Sequence, residues 1–260
     1  MTDFAPSGSA AGVAIPGNRY LNRALLTLVV IAIISFTLFS AVQGFDFPAY
    51  PVITHAHAVV MGSWLILLAV QSVLGSTGRL GLHRPLGWAG VGLVTVAVIT
   101  GVMVSFQTIA LGRLPLVFEA GYFLTLGLTN MMLFTGFVSA AIVTRRNTPW
   151  HRRFMLASIL VIFEPVLGRL LPFFVIPAIG GPDNLMVWLD ENRAGFELFR
   201  MGVHLGIIGL VMLGDWLVTK RLHPVYLFAL IAVIGLYAVA NLIGGSAPVQ
   251  AFAAGLAPQT

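Results

Sequence analysis

The 260-residue chain contains no cysteine, which excludes disulfides, thiolate metal sites and a covalently attached c-type haem. Charge is scarce as well: 9% of residues are Asp, Glu, Lys or Arg, against roughly 25% in an ordinary soluble domain. A chain so poor in charge and 58% hydrophobic takes lipid as its main solvent. Lysine occurs once, at Lys220 in a predicted loop, so no mid-helix lysine is present to carry a retinal Schiff base. Phosphate-cradling glycine loops and a Gly-x-Ser-x-Gly nucleophile elbow are also missing, which removes the common soluble-enzyme readings.

What the chain does have is long apolar runs. A helix needs about 20 apolar residues to cross the hydrocarbon core, and seven such runs occur, at approximately 24–43, 55–75, 86–106, 116–143, 154–177, 196–218 and 224–244. The predicted fold class is an all-α polytopic bundle of about seven spans, with residues 23–245 as the transmembrane domain, 1–22 as an N-terminal tail and 246–260 as a C-terminal tail. Orientation follows from the bases, because Lys and Arg gather in cytoplasmic loops. Arg19 and Arg23 precede span one, Arg79 and Arg84 follow span two, Arg145, Arg146, Arg152 and Arg153 follow span four, and Lys220 and Arg221 follow span six. Even numbers of crossings separate these groups and so put all of them on one side, while the other side carries Arg113 and Arg193 with Asp46, Asp183, Asp190 and Glu191. The N-terminus is therefore expected to be cytoplasmic and the C-terminus external. This bias and anionic headgroups account for the formal charge of +5 without a nucleic-acid partner. The first 18 residues lack the basic start of a secretory signal, so span one is expected to be retained.

Ionisable groups inside spans are costly and mark a site by default. Helical rise places His55, His57, Glu119, Arg169, Glu197, Arg200, His204 and Asn241 in the outer half of the membrane and Glu164 nearer its middle. They are expected to face one another or a hydrated cavity. Glu197, Arg200 and His204 share one helix face by their spacing, and Gly202 and Gly206 bracket His204 in a Gly-x-x-x-Gly arrangement that admits a neighbouring helix or a flat ligand. Glu164-Pro165 and Gly168-Arg169 predict a kink in span five with freed carbonyls. Three uses of that kink stay open: ion pairs with neighbours such as Glu119 or Arg200, a proton or anion path, or an arginine that neutralises a cofactor propionate. His55 and His57 diverge by about 200° on a regular helix, and His57, one turn from Met61, is the better inward candidate.

Two imidazoles on facing helices suit a b-type haem, with His57 and His204 as axial ligands and Arg169 and Arg200 offsetting its charge. Copper or another metal held by His55, His57 and His204 is an alternative. A third reading binds no cofactor and leaves these histidines in a polar packing layer. Glu164, Glu119 and Glu197 are the candidates for a proton or ion path, and no catalytic residue is assigned. His83, His151 and His223 each precede a span in a basic loop and read as interfacial anchors, with a three-histidine metal site as the competitor. The connection 178–195 is expected to turn at Gly180-Gly181-Pro182-Asp183-Asn184 and then lay a short amphipathic piece on the outer surface.

The run His55-Ala56-His57-Ala58-Val59-Val60-Met61-Gly62 resembles the His-x-His opening of a haem- and copper-containing bacterial membrane protein family linked to nitric-oxide response. It looks more loosely like the second helix of haem–copper oxidases, although the later paired-histidine helix of those oxidases has no counterpart here. Gly81-Leu82-His83-Arg84-Pro85-Leu86-Gly87 and Thr148-Pro149-Trp150-His151-Arg152-Arg153-Phe154-Met155 are similar to a group of predicted bacterial multi-helix membrane proteins of unassigned activity. These resemblances imply a multi-pass protein of the bacterial inner membrane. The first expectation for function is a haem- or metal-binding redox or respiratory accessory protein, with the lipid bilayer as its surroundings and a quinone or a respiratory complex as candidate partner. A small-solute or proton-coupled transporter is the second, and a non-catalytic assembly subunit the third.

Overall fold

A computed structural model describes residues 18–42, 50–115 and 117–258; Asp46 and most of the N-terminal tail lie outside them. The described residues form α1 (Asn18–Val42), α2 (Val52–Ser76), α3 (Leu80–Ala110), α4 (Ala120–Val143), α5 (Thr148–Val161), α6 (Glu164–Leu170), α7 (Pro172–Ala178), α8 (Leu185–Thr219), α9 (Pro224–Val239) and α10 (Ala247–Gly255). No strand occurs among the described residues. Six of the helices are long and apolar enough to cross a membrane, and the bent pair Thr148–Val161 with Glu164–Ala178 brings the number to seven when it is taken as one span. The protein is a membrane-embedded helical bundle.

The outer surface carries large apolar side chains such as Met132, Leu210 and Leu242, each at least 69% exposed. In water that surface would drive aggregation; in hydrocarbon it is at home. Lipid offers little hydrophobic incentive for helices to associate, so close packing and interior polar bonds hold the bundle together. Gly121 supplies one such approach, since a Cβ there would meet the Gly244 carbonyl oxygen at 2.5 Å. At Gly214 a Cβ would run into the Tyr20 ring. Gly202 and Gly206, by contrast, have nothing within 4 Å of an added Cβ. Two residues advance a helix by about 200°, so these glycines point away from the face that buries His204 and admit no partner there.

Span five is the centre of the bundle. Every residue from Leu156 to Glu164 is buried, and α5 packs against α1, α4 and α9. The kink expected within 154–177 is a full break into α5, α6 and α7, with a 43° bend between the first and the remainder. Pro165 offers no N–H to the Val161 carbonyl and Pro172 repeats the interruption about two turns later. The expected amphipathic piece after residue 178 is also different. Gly180 and Gly181 turn the chain at φ of 85° and 124°, and from Leu185 the helix runs without interruption into the span as one 35-residue α8. Residues 247–255, assigned by sequence to an external tail, form α10 and pack back on α4.

Candidate functional site

The buried face of α8 is a single stripe, Phe196, Arg200, His204, Ile208, Val211 and Asp215. Helical spacing therefore carries three polar side chains into the bundle along one line. Opposite the stripe, the break in span five presents Glu164 at the first turn of α6. Arg200 Nη1 stands 3.1 Å from Glu164 Oε1, and Arg200 Nη2 donates to the Tyr122 hydroxyl at 2.8 Å. The guanidinium lies over the Phe118 ring at 4.6 Å, with the Tyr237 ring at 5.5 Å. Arg200 is 1% exposed and Glu164 5%. Among the described residues, Glu164 Oε1 nonetheless lacks an aligned hydrogen bond and Arg200 Nε has no acceptor.

One turn further along α8, His204 Nε2 lies 2.7 Å from the Leu160 carbonyl oxygen at the end of α5. A carbonyl only accepts, so Nε2 carries the proton and Nδ1 is left as the acceptor for the Tyr237 hydroxyl at 3.5 Å. Both ring nitrogens of His204 thus have partners, Nε2 through a short bond and the unprotonated Nδ1 only through a long contact. The helix break explains the first bond, because the last carbonyls of a helix need partners from outside it.

Arg169 donates to the Pro165 carbonyl oxygen at 2.9 Å and stacks over Phe36 at 4.1 Å. It lies within electrostatic reach of both Glu164 and His57. His57 Nδ1 is 3.0 Å from Thr100 Oγ1, whose own proton goes to the Val96 carbonyl at 2.8 Å. His57 is therefore the donor through Nδ1, which leaves Nε2 as its basic nitrogen. His55 sits in the first turn of α2, two positions earlier and turned away. The helix α2 packs on α1 and α3, and the structure does not gather His55, His57 and His204 at one point. Among the described residues, no three His, Asp or Glu side chains converge as a metal site.

The two remaining acids part company. Glu197, half-buried one turn outward from Arg200, stays within electrostatic reach of Arg200, Tyr122 and Tyr237. Glu119 is exposed at the N-cap of α4 and accepts from Gln250 Nε2 at 2.9 Å, so it belongs to the junction of α4 and α10. Asn241, the remaining polar residue of the predicted layer, donates to the Tyr237 carbonyl at 2.9 Å.

Sequence reasoning missed a second buried ion pair. Asp215, 0% exposed, accepts from Arg153 Nε at 2.7 Å, from Arg153 Nη2 at 2.9 Å and from the Tyr226 hydroxyl at 3.1 Å. Arg153 had been read as a basic loop residue, yet it lies inside α5. The available signal was Asp215 itself, a lone acid in the apolar run Leu213-Gly214-Asp215-Trp216-Leu217 that required a buried base. At the same end His83 and His151 approach with ring centroids 6.3 Å apart, and His223 leaves the group to meet Trp150 edge to face at 4.6 Å. The groove lined by Val94, Val98, Thr135 and Val138, of about 220 Å³, opens on α3 and α4 and touches none of these polar groups.

Comparison of the chain with protein-family models, curated proteins and solved structures returns no match. The geometry of the Glu164–Arg200 network therefore carries the functional reading.

Proposed function

We propose that this membrane-embedded protein couples proton movement to the passage of a small solute, with Glu164 as the protonatable carrier. The observation that supports it is the placement of Glu164 at the break of span five, 3.1 Å from Arg200 yet without an aligned hydrogen bond on Oε1. A carboxylate locked by several hydrogen bonds holds its charged form too firmly to trade protons; one held by a single ionic contact exchanges readily. Discontinuous helices with freed backbone groups are the recurrent way in which transporters build mid-membrane sites. Half-buried Glu197 lies within electrostatic reach of Arg200, and the Tyr237–His204–Leu160 chain links α9 through α8 to α5 beside it.

The haem reading asks His204 to give up its contact with Tyr237 at Nδ1 or its bond to Leu160 at Nε2, whereas the transport reading uses the network as it stands. The transport reading therefore stands first. Vesicles carrying the purified protein and a trapped pH dye test it, with potassium chloride, sodium pyruvate, glycine and glucose supplied outside. Wild-type protein is expected to acidify the interior and Glu164→Gln to leave it unchanged. Equal proton movement in both would overturn the proposal. So would a purified protein with a Soret absorption band that His57→Ala removes, a result that would restore haem.

A further inference from the structure

We propose that the solute is a small monovalent anion, which takes the place of the Glu164 carboxylate beside Arg200 when that carboxyl takes up a proton. The inference rests on the transport reading and names what the same site would carry. Its basis is the unspent capacity of Arg200. A guanidinium is permanently charged and presents five N–H donors in one plane. Here one donor serves Tyr122, Nη1 faces Glu164 out of hydrogen-bond alignment, and Nε, fully shielded, has no acceptor among the described residues. A buried charge short of acceptors is the part of a network that recruits a ligand.

Charge balance sets the sign and size of that ligand. Glu164 faces Arg200 from α8, Arg169 from its own helix, Tyr122 from α4 and Tyr237 from α9, while Glu197 and His204 of α8 act on Arg200. From α1 the neighbour is Ser35, which donates to the Val166 carbonyl at 3.0 Å. While Glu164 is ionised, Arg200 and Arg169 are opposed by it and by the half-buried Glu197. Once Glu164 is protonated, one negative charge is missing, and a single monovalent anion restores the balance. Proton and anion then enter together with no net charge moved. Phe118, Tyr122 and Tyr237 wall the guanidinium, which limits the anion to a few atoms, a halide or a short carboxylate.

Chloride binding to the full-length protein in detergent, read from chlorine NMR linewidths, tests this without any proton gradient. Wild-type protein is expected to bind chloride more tightly at mildly acid than at alkaline pH. Glu164→Gln, which imitates the protonated carboxyl, is expected to bind it about 10-fold more tightly than wild type at alkaline pH and to lose the pH dependence, a factor usual for two ligands coupled through a site. Arg200→Lys keeps the charge but loses Nε, and is expected to abolish most of the binding. A Glu164→Gln protein that elutes as a single folded species and binds chloride no better than wild type overturns the inference. Proton movement that depends on Glu164 without such binding sinks the anion assignment alone. Chloride binding with the expected Glu164 dependence, but no proton movement in vesicles, sinks the transport reading and leaves an anion-binding site.

Discussion

Removing the Asp215 carboxylate is the sharpest test of how the bundle holds its polar interior. In wild type that side chain is fully buried and takes two hydrogen bonds from Arg153, at 2.7 and 2.9 Å, and a third from Tyr226 at 3.1 Å. Asp215→Ala leaves the Arg153 guanidinium, 7% exposed, as an uncompensated charge among α1, α5, α8 and α9. Breaking a buried pair from one side costs about 3–5 kcal/mol, and the orphaned Tyr226 hydroxyl adds about 1–3 kcal/mol where water cannot reach it. The combined loss is expected at about 4–6 kcal/mol because the two penalties share one cavity and do not add fully. Arg153→Met combined with Asp215→Leu removes both charges, and similar replacements elsewhere are neutral or stabilising. The double variant is therefore expected to recover most of the loss. Reversible unfolding in mixed detergent micelles, followed by the fluorescence of the neighbouring Trp216, gives both numbers and the coupling between the sites. If Asp215→Ala falls within about 1 kcal/mol of wild type, or the double variant is as unstable as the single ones summed, the pair is not the buried lock described here.

Two further outcomes follow from the ends of the bundle. His223 caps α9 by accepting from the Val225 N–H through Nδ1 at 3.4 Å; burial, and then the Arg153 charge, hold its imidazole below the ordinary range against the opposing pull of Asp215. A depressed histidine binds fewer protons folded than unfolded, so stability is full above the unfolded value near about 6.5 and declines as pH falls below it. His223→Gln is expected to flatten that decline in a pH series of the same unfolding assay, and an unchanged slope would refute the assignment. At the opposite end, Gly121→Ala forces a Cβ to within 2.5 Å of the Gly244 carbonyl and 2.9 Å of the Gln250 side chain. The overpacking is expected to cost about 1–3 kcal/mol and to free α10, read as faster proteolytic cleavage within residues 246–257; cleavage at the wild-type rate would contradict the interlock.

Legibility in the sequence differed by residue. The Pro165 and Pro172 signals foretold a bend, because a missing N–H acts on its own helix wherever that helix packs. The shared face of Glu197, Arg200 and His204 was readable for the same reason. The pairing of Arg200 with Glu164 was one of several open choices, and the choice of Tyr122 as its other acceptor was not visible at all. Arg153 shows the opposite failure. Its neighbours in the chain are bases of a loop, and only the arrival of Asp215, 62 positions away, explains why it is inside. Likewise His83, His151 and His223 look alike in sequence, yet two meet and the third rests on Trp150.

By itself the sequence determined the solvent of this protein, its series of long apolar helices and the place where the segment 154–177 breaks. Those properties depend on the hydropathy and backbone chemistry of contiguous residues, which need no partner to act. Tertiary structure alone decided which polar groups share a bond: that both His204 nitrogens have partners, that Arg200 keeps a donor unanswered among the described residues, and that Asp215 locks α8 to α5. In a medium with no water to satisfy them, polar side chains are defined by whichever partners the packing of distant helices brings within reach.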